Sequence, residues 1–216
     1  DISSSSTYKL VMDFINSDAQ SIASFLSEPV QVEEIYVYMQ TNYGTSVTPF
    51  YTTLALWVGG IVLVALMKVK VDYEDDEFKD ATEHQKYIGR ALLFLAMGQL
   101  QALVVVLGDL YILKIDCTHP FMLWLAAAIT SFVFTLFIYT LVLTFGDLGK
   151  AIAVVMIVLQ IAGSGGTYPI ELLPEFFQNV YLYFPFPYAI NAMREAISGL
   201  YQCDYAVFLV KLCAYA

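Results

Sequence analysis

The sequence predicts an all-α membrane protein, a polytopic helix bundle with a re-entrant or interfacial helical hairpin before its last span. Three observations predict it. Hydrophobic residues make up 59% of the 216 and charged residues only 14%, whereas a soluble domain sits nearer half and a quarter. Several apolar runs approach the ~20 residues a helix needs to cross a bilayer. Between two of them lies "GSGGTYPIELLPEFFQNVYLYFPFPYAINAMREAISGLY", residues 163–201, apolar throughout yet interrupted by four prolines. The mean hydropathy of +0.66 agrees with the first observation.

Four runs qualify as spans, at about residues 49–67, 88–113, 120–145 and 148–163, and a fifth starts near 205 and continues to 216. The chain starts at Asp1 rather than at methionine and stops inside an apolar run, so a longer protein is expected around it. Lysine and arginine in short loops set orientation. Lys68, Lys70, Lys79, Lys86 and Arg90 all fall between the first two runs, so residues 68–90 are expected on the cytoplasmic side. Alternation then places residues 1–48, the 114–120 loop and the 164–204 segment outside. The net charge of -10 does not overturn this, because the acids cluster in 72–83 and near the N-terminus and the rule counts cations. With no basic patch, no nucleic-acid partner is expected.

Residues 1–48 read as the end of an extracellular domain or as a stalk. Tyr8, Val11, Met12, Ile15, Ile22 and Phe25 recur at helical spacing up to Pro29. "VQVEEIYVY", residues 30–38, then reads as extended. Tyr8, Ile15 and Ile22 keep a seven-residue step, which also fits a coiled coil.

The broken segment divides at "PFP", residues 185–187. "PEFFQNVYLYF" and "YAINAMREAISG" on either side each make a helix of about ten residues, which reaches only about half of a ~30 Å hydrocarbon core. Proline suits a helix start and glycine its end. The prediction is a hairpin that enters and returns on the outer side, with residues 184–188 within bilayer depth. Ile190, Met193 and Ile197 line one face, with Asn191, Arg194 and Ser198 around the other side. Backbone groups freed at the break need polar partners; Asn191 or the external helix ends are expected to supply them.

"GSGGTYPIELLPEFFQ" and "FPFPYAINAMREAISG" resemble the segment before the last helix of type-2 ABC exporter membrane domains. With "EPVQVEE" (28–34), "NYGTSVTPFYTTLALWVGG" (42–60) and "GDLGKAIAVVMIVLQ" (146–160), the chain is similar to the C-terminal membrane region of the YhgE/Pip, or phage infection protein, family. That resemblance implies a bacterial cell membrane, a first span and a large extracellular domain upstream, a homodimer, and partners among a separate ATPase, secretion-machine subunits or phage. It implies an export or translocation component; the alternative is a cell-surface scaffold or phage receptor without transport of its own. It places the hairpin residues Gly163, Gly165, Gly166, Pro169, Pro174, Pro185, Pro187, Asn191 and Arg194 beside any translocation route. The acid-rich 72–86 stretch matches no motif, and no Walker A pattern occurs.

Polar residues in the runs are the remaining candidates. Gln99, Gln101 and Gln160 are expected to bond between helices. Asp109 is expected near the outer interface and hydrated, with a proton or substrate path as the sharper reading. Cys117 and Cys203 share a side, so a disulfide between them is open, while Cys213 reads as a small apolar helix residue. Asp116, Cys117 and His119 lack a second ligand cluster, so no metal is expected, and His84 reads as a solvated loop residue. No cofactor site and no nucleophile–base or paired-carboxylate set is present, so no enzyme activity is expected.

Overall fold

The computed structural model describes residues 42–69, 82–166 and 169–216. The N-terminal helix, the extended 30–38 stretch and most of the acid-rich loop lie outside the described residues. Among those described, every regular element is helical: α1 (Tyr43–Leu66), α2 (Glu83–Leu107) with a π turn at Gly108–Ile112, α3 (Pro120–Phe145), α4 (Asp147–Gly163), α5 (Glu175–Val180), α6 (Phe186–Ser198) and α7 (Asp204–Cys213). The α1 helix, α2 with its π turn, and α3 are long and apolar enough to cross a membrane.

Local chemistry sets the ends. The α1 helix begins six residues before the expected Pro49, because the Asn42 side chain accepts the Thr45 N–H at 2.8 Å and caps it. Pro49 is carried inside the helix. Thr82 and Gln85 form a reciprocal capping box that starts α2 at Glu83, earlier than the apolar run itself. Pro120 opens α3 at the position where its missing N–H costs nothing. Between α3 and α4 stands a single residue, Gly146, at φ 61° and ψ -131°. A side chain rarely adopts that backbone, so glycine permits the turn.

Helix α3 is the most buried of the three long helices and α2 the least. Along α3, Leu123, Ala126, Ala127, Phe134 and Ile138 are fully enclosed, while α2 leaves Leu92, Leu100, Leu103 and Val104 exposed to the surroundings. Neighbours run antiparallel, as the cross-links show. Gln101 donates to the Ala55 carbonyl and Arg90 to the Lys68 carbonyl between α2 and α1. Ser131 donates to Gly98 and Gln99 to Ala128 between α3 and α2. Small residues permit these approaches: a Cβ on Gly98 would stand 2.6 Å from Thr135 Oγ1. Backbone itself is the obstacle where α4 meets α3: a Cβ on Gly149 would stand 2.4 Å from the Leu141 carbonyl oxygen.

The hairpin differs from the expected pair of equal limbs. Its first limb is a chain of short turns, with 3-10 turns at Ile170–Leu172 and Tyr181–Tyr183 flanking the six-residue α5, and none of the residues in these elements is buried. Pro169 and Pro174 lead into two of those turns. Prolines this close together deny successive N–H donors, and the limb cannot propagate a helix. The second limb, α6, is a regular 13-residue helix with nine buried residues. Pro187 is not part of the break: it lies in the first turn of α6, and Pro185 caps that helix.

Candidate functional site: the broken hairpin and its cradle

The turn into α6 sits deep in the bundle. Phe186 is fully buried, its ring 5.6 Å from Trp57 of α1 and 5.5 Å from Phe134 of α3. Trp57 and Phe134 themselves meet edge-on at 4.9 Å. Both lie fourteen residues into their helices, which at 1.5 Å per residue is about 21 Å from the end where those helices start. From there α6 climbs back to that same end, where its Ala196 and Ile197 carbonyls accept the His119 and Thr118 N–H groups. The hairpin therefore reaches roughly halfway along α1 and α3 and returns.

The break needs a partner for a buried backbone donor, and Gln160 of α4 supplies it. Its Oε1 accepts the Phe186 N–H at 3.3 Å, and its side chain is wholly enclosed. Neither expected source supplies it: the partner lies on α4 rather than at an external helix end, and Asn191 accepts from Arg194 Nη1 at 3.0 Å, one turn along α6. The reason is reach: Asn191 lies on the flank of α6 beyond its first turn, while α4 ends beside the break. Gln160→Leu is expected to leave that buried N–H unpaired, costing about 1–3 kcal/mol. The check is faster amide exchange at Phe186, Tyr188 and Ala189 than in wild type, with the rest of α6 unchanged.

The glycine cluster makes room for the loop that follows α4. A Cβ on Gly163 would press on Phe177 of α5 at 2.8 Å, and one on Gly166 would press on Phe50 of α1 at 2.4 Å. Gly165 has φ 64°. Gln160 Nε2 and Ser164 Oγ, one helical turn apart, are both buried without a hydrogen-bond partner.

Asp109 is only 6% exposed, not hydrated as expected. It lies in the π turn ending α2 and accepts a hydrogen bond from Thr52 Oγ1 at 2.6 Å. The bond places the carboxylate against α1, a pairing between helices that the sequence does not reveal.

Cys117, Cys203 and Cys213 are free thiols in the structure. Cys117 contacts the Ala196 carbonyl at 3.6 Å. Burial pushes its thiol above the ordinary range; a hydrogen bond with the His119 backbone opposes this, and the Asp116 charge adds to it. Among the described residues no group of three His, Cys, Asp or Glu converges for a metal.

Two contributors escape sequence reading. Glu195, fully buried on α6, accepts the Tyr201 N–H at 2.6 Å and ties the end of α6 to the linker before α7; the only signal is an acid on an otherwise apolar helix face, four residues before the Gly199 stop. Trp57 donates its indole N–H to the Ala153 carbonyl at 3.2 Å, and a tryptophan in mid-span is the signal there.

A family profile described as ABC-2 type transporter matches residues 84–197, from α2 through α6. Among curated proteins, "Uncharacterized protein YhgE" of Bacillus subtilis (strain 168) is 31% identical over 185 residues, covering 86% of this chain and 23% of the relative. The chain thus spans about a quarter of that relative's length. No solved structure matches it.

Proposed function

This chain belongs to the ABC-2 type transporter family, and we propose that it is the membrane-embedded part of an export component, with the hairpin beside the translocation route. One observation carries the reading: a broken segment seats its turn at mid-depth, against Trp57, Phe134 and Gln160, and then returns to the end it came from. Irregular backbone at that depth is tolerated only where protein or a water-lined path satisfies it. No Walker A pattern occurs in these 216 residues, so in this reading the energy is supplied from outside them, and a separate ATPase subunit is the proposed source. Affinity purification of the full-length protein from native membranes tests this. A co-purifying ATPase is the expected result. Recovery of envelope or secretion partners with no ATPase would sink export in favour of a surface scaffold.

The proposed sidedness puts the hairpin and the 113–119 linker outside and the Gly146 turn inside, on the strength of the basic residues between α1 and α2. After replacement of the native cysteines, Tyr43→Cys is expected to react with an impermeant thiol reagent in intact cells and Asp147→Cys only after permeabilisation. Both side chains are exposed, so the reverse pattern would invert the topology.

A further inference from the structure

Asp109 is enclosed where the π turn at the end of α2 meets α1. Among the described residues its carboxyl has one side-chain partner, the Thr52 hydroxyl at 2.6 Å, and no lysine, arginine or histidine pairs with it. Thr52 stands nine residues past the start of α1, about 14 Å along it. The titratable groups of the surrounding elements are turned elsewhere. On α1, Tyr51 is exposed, as are Tyr111, Lys114 and Asp116 around the end of the π turn. Cys117 turns to the Ala196 carbonyl. Helix α3 carries no charged residue, and its Tyr139 bonds to the Tyr87 carbonyl near the other end of α2. On α6, Arg194 donates to Asn191, and Glu195 accepts the Tyr201 N–H. An ionised carboxylate gives up several hydrogen bonds to water on entering such a place, and one hydroxyl does not replace them. A carboxylic acid asks for less: it has one O–H to donate, and a threonine hydroxyl accepts as well as donates.

We propose that Asp109 is a proton-binding site: its carboxyl carries a proton while α1 and α2 are packed and releases it to water when they part. Thr48 and Thr45, both buried, continue from Thr52 toward the start of α1 at helical spacing. Thr48 Oγ1 donates to the Gly44 carbonyl, and among the described residues Thr45 Oγ1 has no hydrogen-bond partner. This row of hydroxyls supplies polar stations between Asp109 and the Asn42 cap, so the proton exchanges with the end of the bundle where α1 starts. The packed arrangement binds one proton more than the parted one, and rising pH therefore disfavours it. The inference rests on α1 and α2 crossing the bilayer, not on export.

The test is carbodiimide labelling of the full-length protein in native membranes. Dicyclohexylcarbodiimide is apolar and reacts with protonated carboxyls. Peptide mapping is expected to find its adduct on Asp109 at mildly acidic pH and to lose it as the pH is raised. A charged, water-soluble carbodiimide is expected to leave Asp109 unlabelled. Asp109→Asn keeps the shape and the Thr52 contact without a proton to release. It is expected to remove the adduct, to melt with wild type at mildly acidic pH and to melt increasingly above it as the pH rises. Absence of the adduct at every pH, equal labelling by the two reagents, or an asparagine variant less stable than wild type by the same margin throughout would each overturn the assignment. Should that variant fail to fold, the labelling of the wild-type protein still decides.

Discussion

Gly149→Val is expected to prevent normal assembly of the bundle, with most of the protein lost to aggregation or degradation before it can be purified. Even the first carbon of a side chain at this position would stand 2.4 Å from the Leu141 carbonyl oxygen and 2.8 Å from the Val142 Cα. Those are backbone atoms of α3, and backbone cannot swing aside as a side-chain tip can. Relief requires α4 to move away from α3, and Gly146 alone joins them. Overpacking costs typically 1–3 kcal/mol where side chains can shift, and it costs more where the obstacle is a helix. Gly59→Ala is the contrast. The Gln101 side chain, which lies closest to that position, is the movable end of a flexible group, so this variant is expected to lose the Gln101–Ala55 bond and still be recovered, at a yield well above that of Gly149→Val. Size-exclusion profiles of the two variants, expressed side by side, decide the matter. A monodisperse Gly149→Val protein with wild-type yield would show that the α3–α4 contact is looser than described.

Phe186→Ala carries the other large effect, a loss of about 3–5 kcal/mol of stability. The ring is fully buried among Trp57 and Phe134. Each aromatic pair contributes about 0.5–1.5 kcal/mol beyond its area, and the remainder comes from a cavity that rigid helices cannot collapse. In lipid this packing matters more than hydrophobicity, because acyl chains are as apolar as the ring itself. Phe186→Leu keeps much of the volume and is expected to lose about half as much. Thermal unfolding of the purified full-length protein gives the order wild type, leucine, alanine. If the alanine variant melts with wild type, the turn does not dock as described, and the proposed place of the hairpin beside a route loses its main support.

Much of the bundle was legible in the sequence because its signals are local. The run at 120–145 coincides with α3 to the residue, since Pro120 and Gly146 punctuate both ends. The expected starts of α1 and α2 fell six and five residues late, because hydropathy marks where apolar side chains begin and not where a cap is satisfied. Asn42 and the Thr82–Gln85 box lie just outside the apolar runs. The hairpin was legible as a break, through its prolines, and its buried face as the row Ile190, Met193 and Ile197.

By itself, then, the sequence determined the all-α membrane class, the order of the apolar runs, and the existence of a proline-broken helical segment before the last of them. These follow from composition, run length and proline spacing, which act within a few residues of each other. Only the tertiary structure decided which groups meet. Gln160 answers a backbone donor 26 residues away, Thr52 a carboxylate 57 residues away, and Trp57 a carbonyl 96 residues away. Such pairings depend on the rotation and depth at which helices pack. The π turn at Gly108–Ile112, which ends α2, is likewise invisible in the periodicity of the apolar run.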